Sequence, residues 1–285
     1  MIFRVLDIET IPDPTVWTPG EAQWKVVPTS REHGNWDAQV AEVEPFPAPQ
    51  AHRVVAVAWI DITMDIDPSV PRYRFTDAYT TCKWCLDPRD TKAADEIEES
   101  ILGAFSTAMK CQSGITLVTW NGRGFDLPVL SMRSLKQGIS FGWYYDNRGM
   151  RYRYSDEGHL DLMDFLGDYG AARNMKLNDM AHLIGLPGKT DMTGASVHDI
   201  VKSTHEVGLL ASNESQRKMD SVGRYCLQDA IQTALIFLRT RFHLGKIERD
   251  EYHRCMDTFY DPTEARSQII KDAIDIDWPR HRILR

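Results

Sequence analysis

From Ile2 the chain runs Ile-Phe-Arg-Val-Leu-Asp-Ile-Glu, a short apolar and β-branched stretch that predicts an opening strand over 2–9. It stops at Thr10-Ile11-Pro12-Asp13-Pro14. From there to about residue 51 the sequence is Pro-rich, carries Trp17, Trp24 and Trp36, and has no clear period. That is too long for an ordinary connection and predicts an insertion over 11–51. Val54 to Ile60 resumes as a buried strand, and Tyr73 to Thr80 alternates like the next strand of a meander. Thr91 to Lys110 then places Ile97, Ile101, Leu102, Phe105 and Met109 at helical spacing. Asp95, Glu96, Glu98 and Glu99 fall early in that helix, where its positive end favours carboxylates. Ile115 to Trp120 predicts a strand, Asn121-Gly122-Arg123-Gly124 a turn, and Phe125 to Lys136 a helix that tolerates Pro128 in its first turn. Further on, the pattern predicts a hairpin over 141–154 with its tip at Asp146-Asn147-Arg148-Gly149. A strand end leading into a helix is expected over His159–Leu166, a short helix over Lys176–Ile184, a long one over Gln216–Phe242, and one more after Gly245. Strands first, then strand, turn and helix, make an α/β chain with one main domain.

Composition adds mainly exclusions. The 285 residues are 42% hydrophobic, 26% charged and 10% aromatic, which suits a globular core and rules out disorder, collagen and coiled coil. Thirty-three basic against 41 acidic residues leave a formal charge of −8, so a polyanion must be met by a local site and not by the surface at large. No stretch reaches the roughly 18–20 apolar residues of a membrane span, and the N-terminus lacks a signal-peptide pattern; the chain reads as cytoplasmic and unprocessed, without a membrane partner. The five cysteines read as reduced thiols. Cys82 and Cys85 form a C-x-x-C with no second pair at zinc-ribbon spacing, which leaves metal and redox roles open beside that of ordinary thiols.

The chemistry is acidic. Asp7 and Glu9 stand two apart on a strand, so both carboxylates point to one side of it. Either that side faces water, or a bound hard cation relieves the repulsion, for which oxygen ligands suit Mg²⁺ or Mn²⁺. Asp126 follows the Asn121-Gly122-Arg123-Gly124-Phe125 turn at a strand-to-helix junction, where α/β sheets hold ligands; the same position suits a helix N-cap. Tyr225 and Asp229 are four apart and share a helix face with Val222, Cys226, Ala230, Thr233 and Phe237. A carboxylate in that apolar stripe needs a cation, metal or arginine, and neither Arg224 nor Arg239 stands three or four positions from it.

In that order, Asp7-Ile8-Glu9-Thr10, then Asn121-x-x-x-Phe125-Asp126, then Tyr225-x-x-x-Asp229 resemble the DEDD exonuclease superfamily in its tyrosine-bearing branch, near the proofreading domains of family B DNA polymerases and their stand-alone relatives. The resemblance covers roughly 1–245, leaving 246–285 as a C-terminal helix and tail whose basic end, Arg280–Arg285, reads as solvated. It implies a ribonuclease H-like fold, a mixed five-stranded sheet flanked by helices. It also implies a metal-dependent 3′-to-5′ exonuclease in which Asp7, Glu9, Asp126 and Asp229 hold two Mg²⁺ or Mn²⁺ ions about 4 Å apart, one activating water and the other stabilising the leaving 3′ oxygen. Tyr225 maps onto the residue that orients the attacking water; tyrosine, with an ordinary pKa near 10, suits positioning better than proton abstraction. Thr10, Asn121 and Phe125 match positions that hold the terminal nucleotides. The expected substrate is single-stranded nucleic acid or a frayed 3′ end, DNA favoured, releasing nucleoside 5′-monophosphates.

Other readings stay open beside this one. RNA or short oligonucleotides would suit the same chemistry, since no 2′-hydroxyl reader is identifiable. A nucleic-acid-binding or partner-docking module could keep the fold without turnover. No polymerase domain follows, so proofreading within one chain is not expected, and any replication or repair partner is unknown. The Asp161 and Asp164 pair of His159-Leu160-Asp161-Leu162-Met163-Asp164 is read as structural, not metal-binding. Trp143-Tyr144-Tyr145, Arg148 and Arg151-Tyr152-Arg153-Tyr154 interleave rings and cations as single-strand binders do; a half-buried hairpin with outward arginines uses the same residues.

Overall fold

The computed structural model describes residues 1–17, 23–28, 38–43, 46–83, 90–155, 157–173, 175–188, 194–206, 212–259 and 270. Trp36, Cys85 and the basic tail Arg280–Arg285 lie outside the described residues, as does the side chain of Trp24. Strands β1 (Ile2–Pro12), β2 (Gln23–Pro28), β3 (Ala38–Val43), β4 (His52–Met64) and β5 (Tyr73–Cys82) come first. Helix α1 (Thr91–Lys110) and strand β6 (Ile115–Thr119) lead to α2 (Asp126–Lys136), α3 (Gly142–Tyr145) and α4 (Arg148–Arg151). Strand β7 (His159–Asp161) is followed by α5 (Leu162–Leu166), α6 (Leu177–Leu183), α7 (Gly194–Glu206), α8 (Ser212–His243) and α9 (Arg249–Phe259).

The main sheet has the order β5-β4-β1-β6-β7. Its β4 runs antiparallel to both β5 and β1, while β6 runs parallel to β1 and β7 parallel to β6. This is the mixed five-stranded, helix-flanked sheet of a ribonuclease H-like fold. β1 lies at its centre, and its alternation feeds two cores. Phe3 and Val5 face the core built with α6 to α9, while Leu6 and Ile8 face the core built with α1 and α2. Arg4 shares the second face and is buried there, donating to Asp61 at 2.7 and 2.8 Å and to the Ala108 carbonyl at 2.9 Å. α8 lies across β1, β4 and β5, and α9 adds Tyr252, Cys255, Met256 and Phe259 to the same core.

Three expectations need revision. The 141–154 segment is not a hairpin: it forms α3 and α4. Asn147, expected at a turn tip, instead caps α4 by accepting the Gly149 N–H at 2.9 Å, while Trp143 packs on Phe141 and Phe105. Tertiary packing of the rings thus outweighs their β propensity. The 11–51 segment, read as lacking a period, contains the two-stranded antiparallel β2–β3 sheet. In α1, the first turn holds no carboxylate: Asp90 caps it by accepting the Ala93 N–H, and Asp95 and Glu98 form ion pairs with Arg53 and Arg133, distant in sequence.

Candidate active site

Asp7 and Glu9 extend the row of Phe3 and Val5, so the period of two aims both carboxylates at α8. From α8 the buried stripe Val222, Cys226, Ala230, Thr233 and Phe237 brings Asp229 back toward them. One ligand oxygen from each of Asp7, Glu9 and Asp229 lies within 4.8 Å of the other two. Glu9 and Asp229 are buried and Asp7 is half-buried. The helix is held against the sheet at this level. The Cys226 thiol donates to the Asp7 carbonyl at 3.4 Å and Thr80 Oγ1 to the Gly223 carbonyl at 2.9 Å; a Cβ on Gly223 would stand 3.1 Å from Cys82 Cβ. Of the arginines weighed for Asp229, the Arg239 guanidinium lies 4.9 Å from the centre of the Tyr252 ring, and Arg224 is exposed. Burial, then Asp7, Glu9 and Asp229, push the Cys226 thiol well above its ordinary pKa, so it stays a neutral donor.

Asp126 comes from the opposite layer and is not one of the three carboxylates within 4.8 Å of one another. β1 pairs with β6 only through Val5 and Val118, so its later residues outrun the neighbouring strand. The N–H groups of Ile8 and of Asp126 itself face the Asp126 carboxylate and favour its charged form. The preceding turn is braced from β7. Asp161 accepts the N–H groups of Asn121 and Arg123, each at 2.9 Å, and caps α5 through the Asp164 N–H, consistent with a structural Asp161. Asn121 adopts the left-handed region at φ 63°, and a Cβ on Gly122 would collide with the Thr119 side chain. The N-cap of α2 is Phe125, not Asp126, which is its first helical residue. Burial raises the Asp126 pKa to about 7; repulsion from Asp161 and Asp229 adds to this, and the two N–H donors oppose it.

That shift has a measurable consequence. An unfolded aspartate titrates near 4, so between about pH 4 and 7 the folded, metal-free chain holds a proton that the unfolded chain has lost. The Asp126 contribution is therefore neutral below about pH 4 and increasingly destabilising as pH rises to about 7. Asp126→Asn is expected to gain stability relative to the parent across that window, by on the order of a few kcal/mol at its upper end. Urea midpoints in chelator at pH 5 and 7.5 measure this, and a pH-independent difference between the two proteins contradicts it.

The three residues matched to terminal-nucleotide positions lie beside this cluster. Asn121 sits at the mouth of the strand-end turn. The β1–β4 register shifts between Glu9 and Thr10, and such a bulge re-aims a side chain. Thr10 Oγ1 lies 2.9 Å from His52 Nδ1, while His52 Nε2 lies 3.0 Å from the Pro47 carbonyl. A carbonyl only accepts, so Nε2 carries the proton. Burial lowers the His52 pKa, opposed by the Pro47 bond, and the neutral ring presents Nδ1 as an acceptor. The Thr10 hydroxyl therefore donates to His52 and keeps its lone pairs for an incoming donor. Phe125 meets the His52 ring edge-on at 4.9 Å, and the exposed Phe46 ring lies 4.8 Å from His52 and 5.9 Å from Phe125. Neither His52 nor Phe46 was legible as a site residue, for both lie in or just after the aperiodic segment. Tyr225 is buried one turn before Asp229.

The donor set of the cluster is all carboxylate oxygen, which fits a hard divalent cation and not a thiophilic one. The sequence matches, over residues 44–271, the family described as a predicted 3′-5′ exonuclease related to the exonuclease domain of PolB. No curated protein matches the chain. Among solved structures it is similar to E. coli exonuclease I, determined in complex with a dT13 oligonucleotide, with a TM-score of 0.37 and 12% identity over 88% of this chain and 45% of that one. The chain thus spans less than half the length of exonuclease I.

Proposed function

This chain belongs to the family of predicted 3′-5′ exonucleases related to the exonuclease domain of PolB, and from that membership we propose that it hydrolyses the terminal phosphodiester of single-stranded nucleic acid, DNA favoured, from the 3′ end. Asp7, Glu9, Asp126 and Asp229 would hold two Mg²⁺ or Mn²⁺ ions. Bound there, such ions supply positive charge to the scissile phosphate and acidify a coordinated water. The observation that carries this reading is the approach of Asp229, from late in the chain, to Asp7 and Glu9, with one oxygen of each within 4.8 Å of the others.

The chain's own groups divide the remaining work. Tyr225, one helical turn from Asp229, positions the attacking water by its hydroxyl. Thr10, whose hydroxyl proton goes to His52, accepts a hydrogen bond from the terminal 3′-hydroxyl. Phe125, backed by His52, stacks on the terminal base, and Asn121 lines the mouth of the turn. No described helix is long and apolar enough to cross a membrane.

The purified protein with Mn²⁺ should shorten a 5′-labelled single strand as a ladder and release nucleoside 5′-monophosphates, and chelator should stop it. Internal cuts, or shortening that persists in chelator, overturn the proposal. Digesting DNA and RNA of matched sequence in parallel decides which sugar is preferred.

A further inference from the structure

Outside the carboxylate site, a second feature calls for an occupant. The interleaved rings and arginines of 143–154 divide in the fold. Trp143 and Tyr144 pack on Phe141, whereas Tyr145, Tyr152 and Tyr154 are 51%, 53% and 57% exposed. Tyr152 and Tyr154 have ring centroids 5.8 Å apart, and Tyr154 lies 4.8 Å from Tyr169. Tyr169 comes from a separate segment, delivered by a turn in which Asp168 and Tyr169 both take the left-handed backbone, at φ 49° and 54°. Two adjacent non-glycine residues in that region store strain, a pattern that concentrates at binding and active sites. Arg153 clips the two segments together: it donates to both Asp164 oxygens at 2.6 and 2.7 Å and to the Tyr169 carbonyl at 3.0 Å. The rings meet edge to face, at 70° and 66°, so the row is held in place while Tyr152 and Tyr154 remain exposed and Tyr169 half-exposed. Arg148 and Arg151 flank it, both exposed, with the Arg151 guanidinium 5.3 Å from the Tyr145 ring centre.

The row is also mechanically joined to the carboxylate site. The Arg123 guanidinium donates to the carbonyls of Met150 and Tyr152 at 3.2 Å and of His159 at 2.9 Å. Its backbone belongs to the turn that ends in Asp126. The backbone that carries Tyr152 is therefore tied to the turn that ends in Asp126. In a chain of net charge −8, cations beside open aromatic faces are the local kind of site a polyanion with stacking bases requires.

We propose that Tyr152, Tyr154 and Tyr169, flanked by Arg148 and Arg151, form a stacking track for the single-stranded nucleic acid a few nucleotides upstream of the 3′ end. This rests on the exonuclease reading for its direction, though not for its chemistry. The test compares the parent with Tyr152→Ala/Tyr154→Ala and Tyr152→Phe/Tyr154→Phe. Fluorescence anisotropy follows binding of 5′-fluorescein dT20 and rU20 in Ca²⁺, and ladder digestion in Mn²⁺ is run in parallel. The alanine pair is expected to weaken 20-mer binding about tenfold or more, and the phenylalanine pair, which keeps both ring faces, to stay within about twofold. The loss should fade as the oligonucleotide is shortened to a dinucleotide. Equal binding by the alanine pair and the parent overturns the track, as does an equal loss in the phenylalanine pair, or a parent that binds neither probe. Binding that depends on the tyrosines without any shortening keeps the track and overturns the exonuclease reading. Shortening indifferent to the tyrosines does the reverse.

Discussion

Asp229→Asn is expected to lower the rate of 3′-end shortening by on the order of a thousandfold or more, the scale seen when one charge-stabilising group is taken from a transition state, while leaving the fold intact. Asparagine nearly matches the side chain in shape, so packing on α8 is kept; what goes is one negative charge from the three that converge within 4.8 Å. Weaker Mn²⁺ binding should accompany the loss of rate, measured by calorimetry on the purified variant. Thermal stability without metal should not fall, because Asp126 then loses a like-charged neighbour and repulsion in the cluster eases. A variant that shortens oligonucleotides at the parental rate would remove Asp229 from the reaction and with it the case for a four-carboxylate site.

Arg133→Ala should be among the most destabilising single substitutions in this chain, at about 3–5 kcal/mol. Arg133 is only 1% exposed. It donates to Glu98 at 2.6 and 2.7 Å, to Asp13 at 2.7 Å and to the Gln50 carbonyl at 3.0 Å. Glu98 and Asp13 are themselves fully buried, so truncation takes from both, away from water, the guanidinium that they share. Against a total stability of roughly 5–15 kcal/mol, urea should then unfold the variant at a far lower concentration. Acid should unfold it at higher pH as well. In the parent, burial raises the Asp13 pKa, but hydrogen bonds from Thr15, then Arg133 and Arg53, outweigh it and hold the group below the ordinary carboxylate range. A depressed folded pKa gives stability that is complete above about pH 4 and is lost as pH falls toward the folded value. Removing Arg133 weakens that depression, so Asp13 contributes less stability above about pH 4, and the less stable variant reaches its unfolding point at higher pH. A change below about 1 kcal/mol at neutral pH would mean that the two carboxylates find other donors. The network also joins the exit of β1 to α1 and α2, so the walls that carry Thr10 and Asp126 are braced together through it.

Glu98 illustrates where reading along the chain misleads. Its place early in a helix suggests a carboxylate set against the helix dipole. It is instead the acceptor for Arg133, Gln137 and the Val54 N–H, three partners that no local pattern joins to it. The 141–154 segment fails for a related reason: alternating rings and arginines satisfy a half-buried hairpin and a pair of short helices equally well until the α1 core offers Trp143 a place. α7, whose Val197 and Val201 close the α8 core, was not foreseen at all. By contrast α1 has its expected bounds, and α8, β6 and α2 fall within a few residues of theirs, because each carries a sustained period or a clear turn.

Local geometry sufficed for two facts about the site. A repeat of two puts Asp7 and Glu9 on one side of β1, and a repeat near four puts Tyr225 and Asp229 on one side of α8; both are properties of the residues in order, whatever surrounds them. Which way those sides face was decided in three dimensions. Only the pairing of β1 with β4 and β6 turns its acidic row toward α8, only the early end of β6 leaves the Ile8 N–H near Asp126, and only the course of α8 across the sheet sets Asp229 beside Asp7. Backbone periodicity acts over a few residues, whereas charges brought together from opposite ends of the chain depend on how whole elements pack.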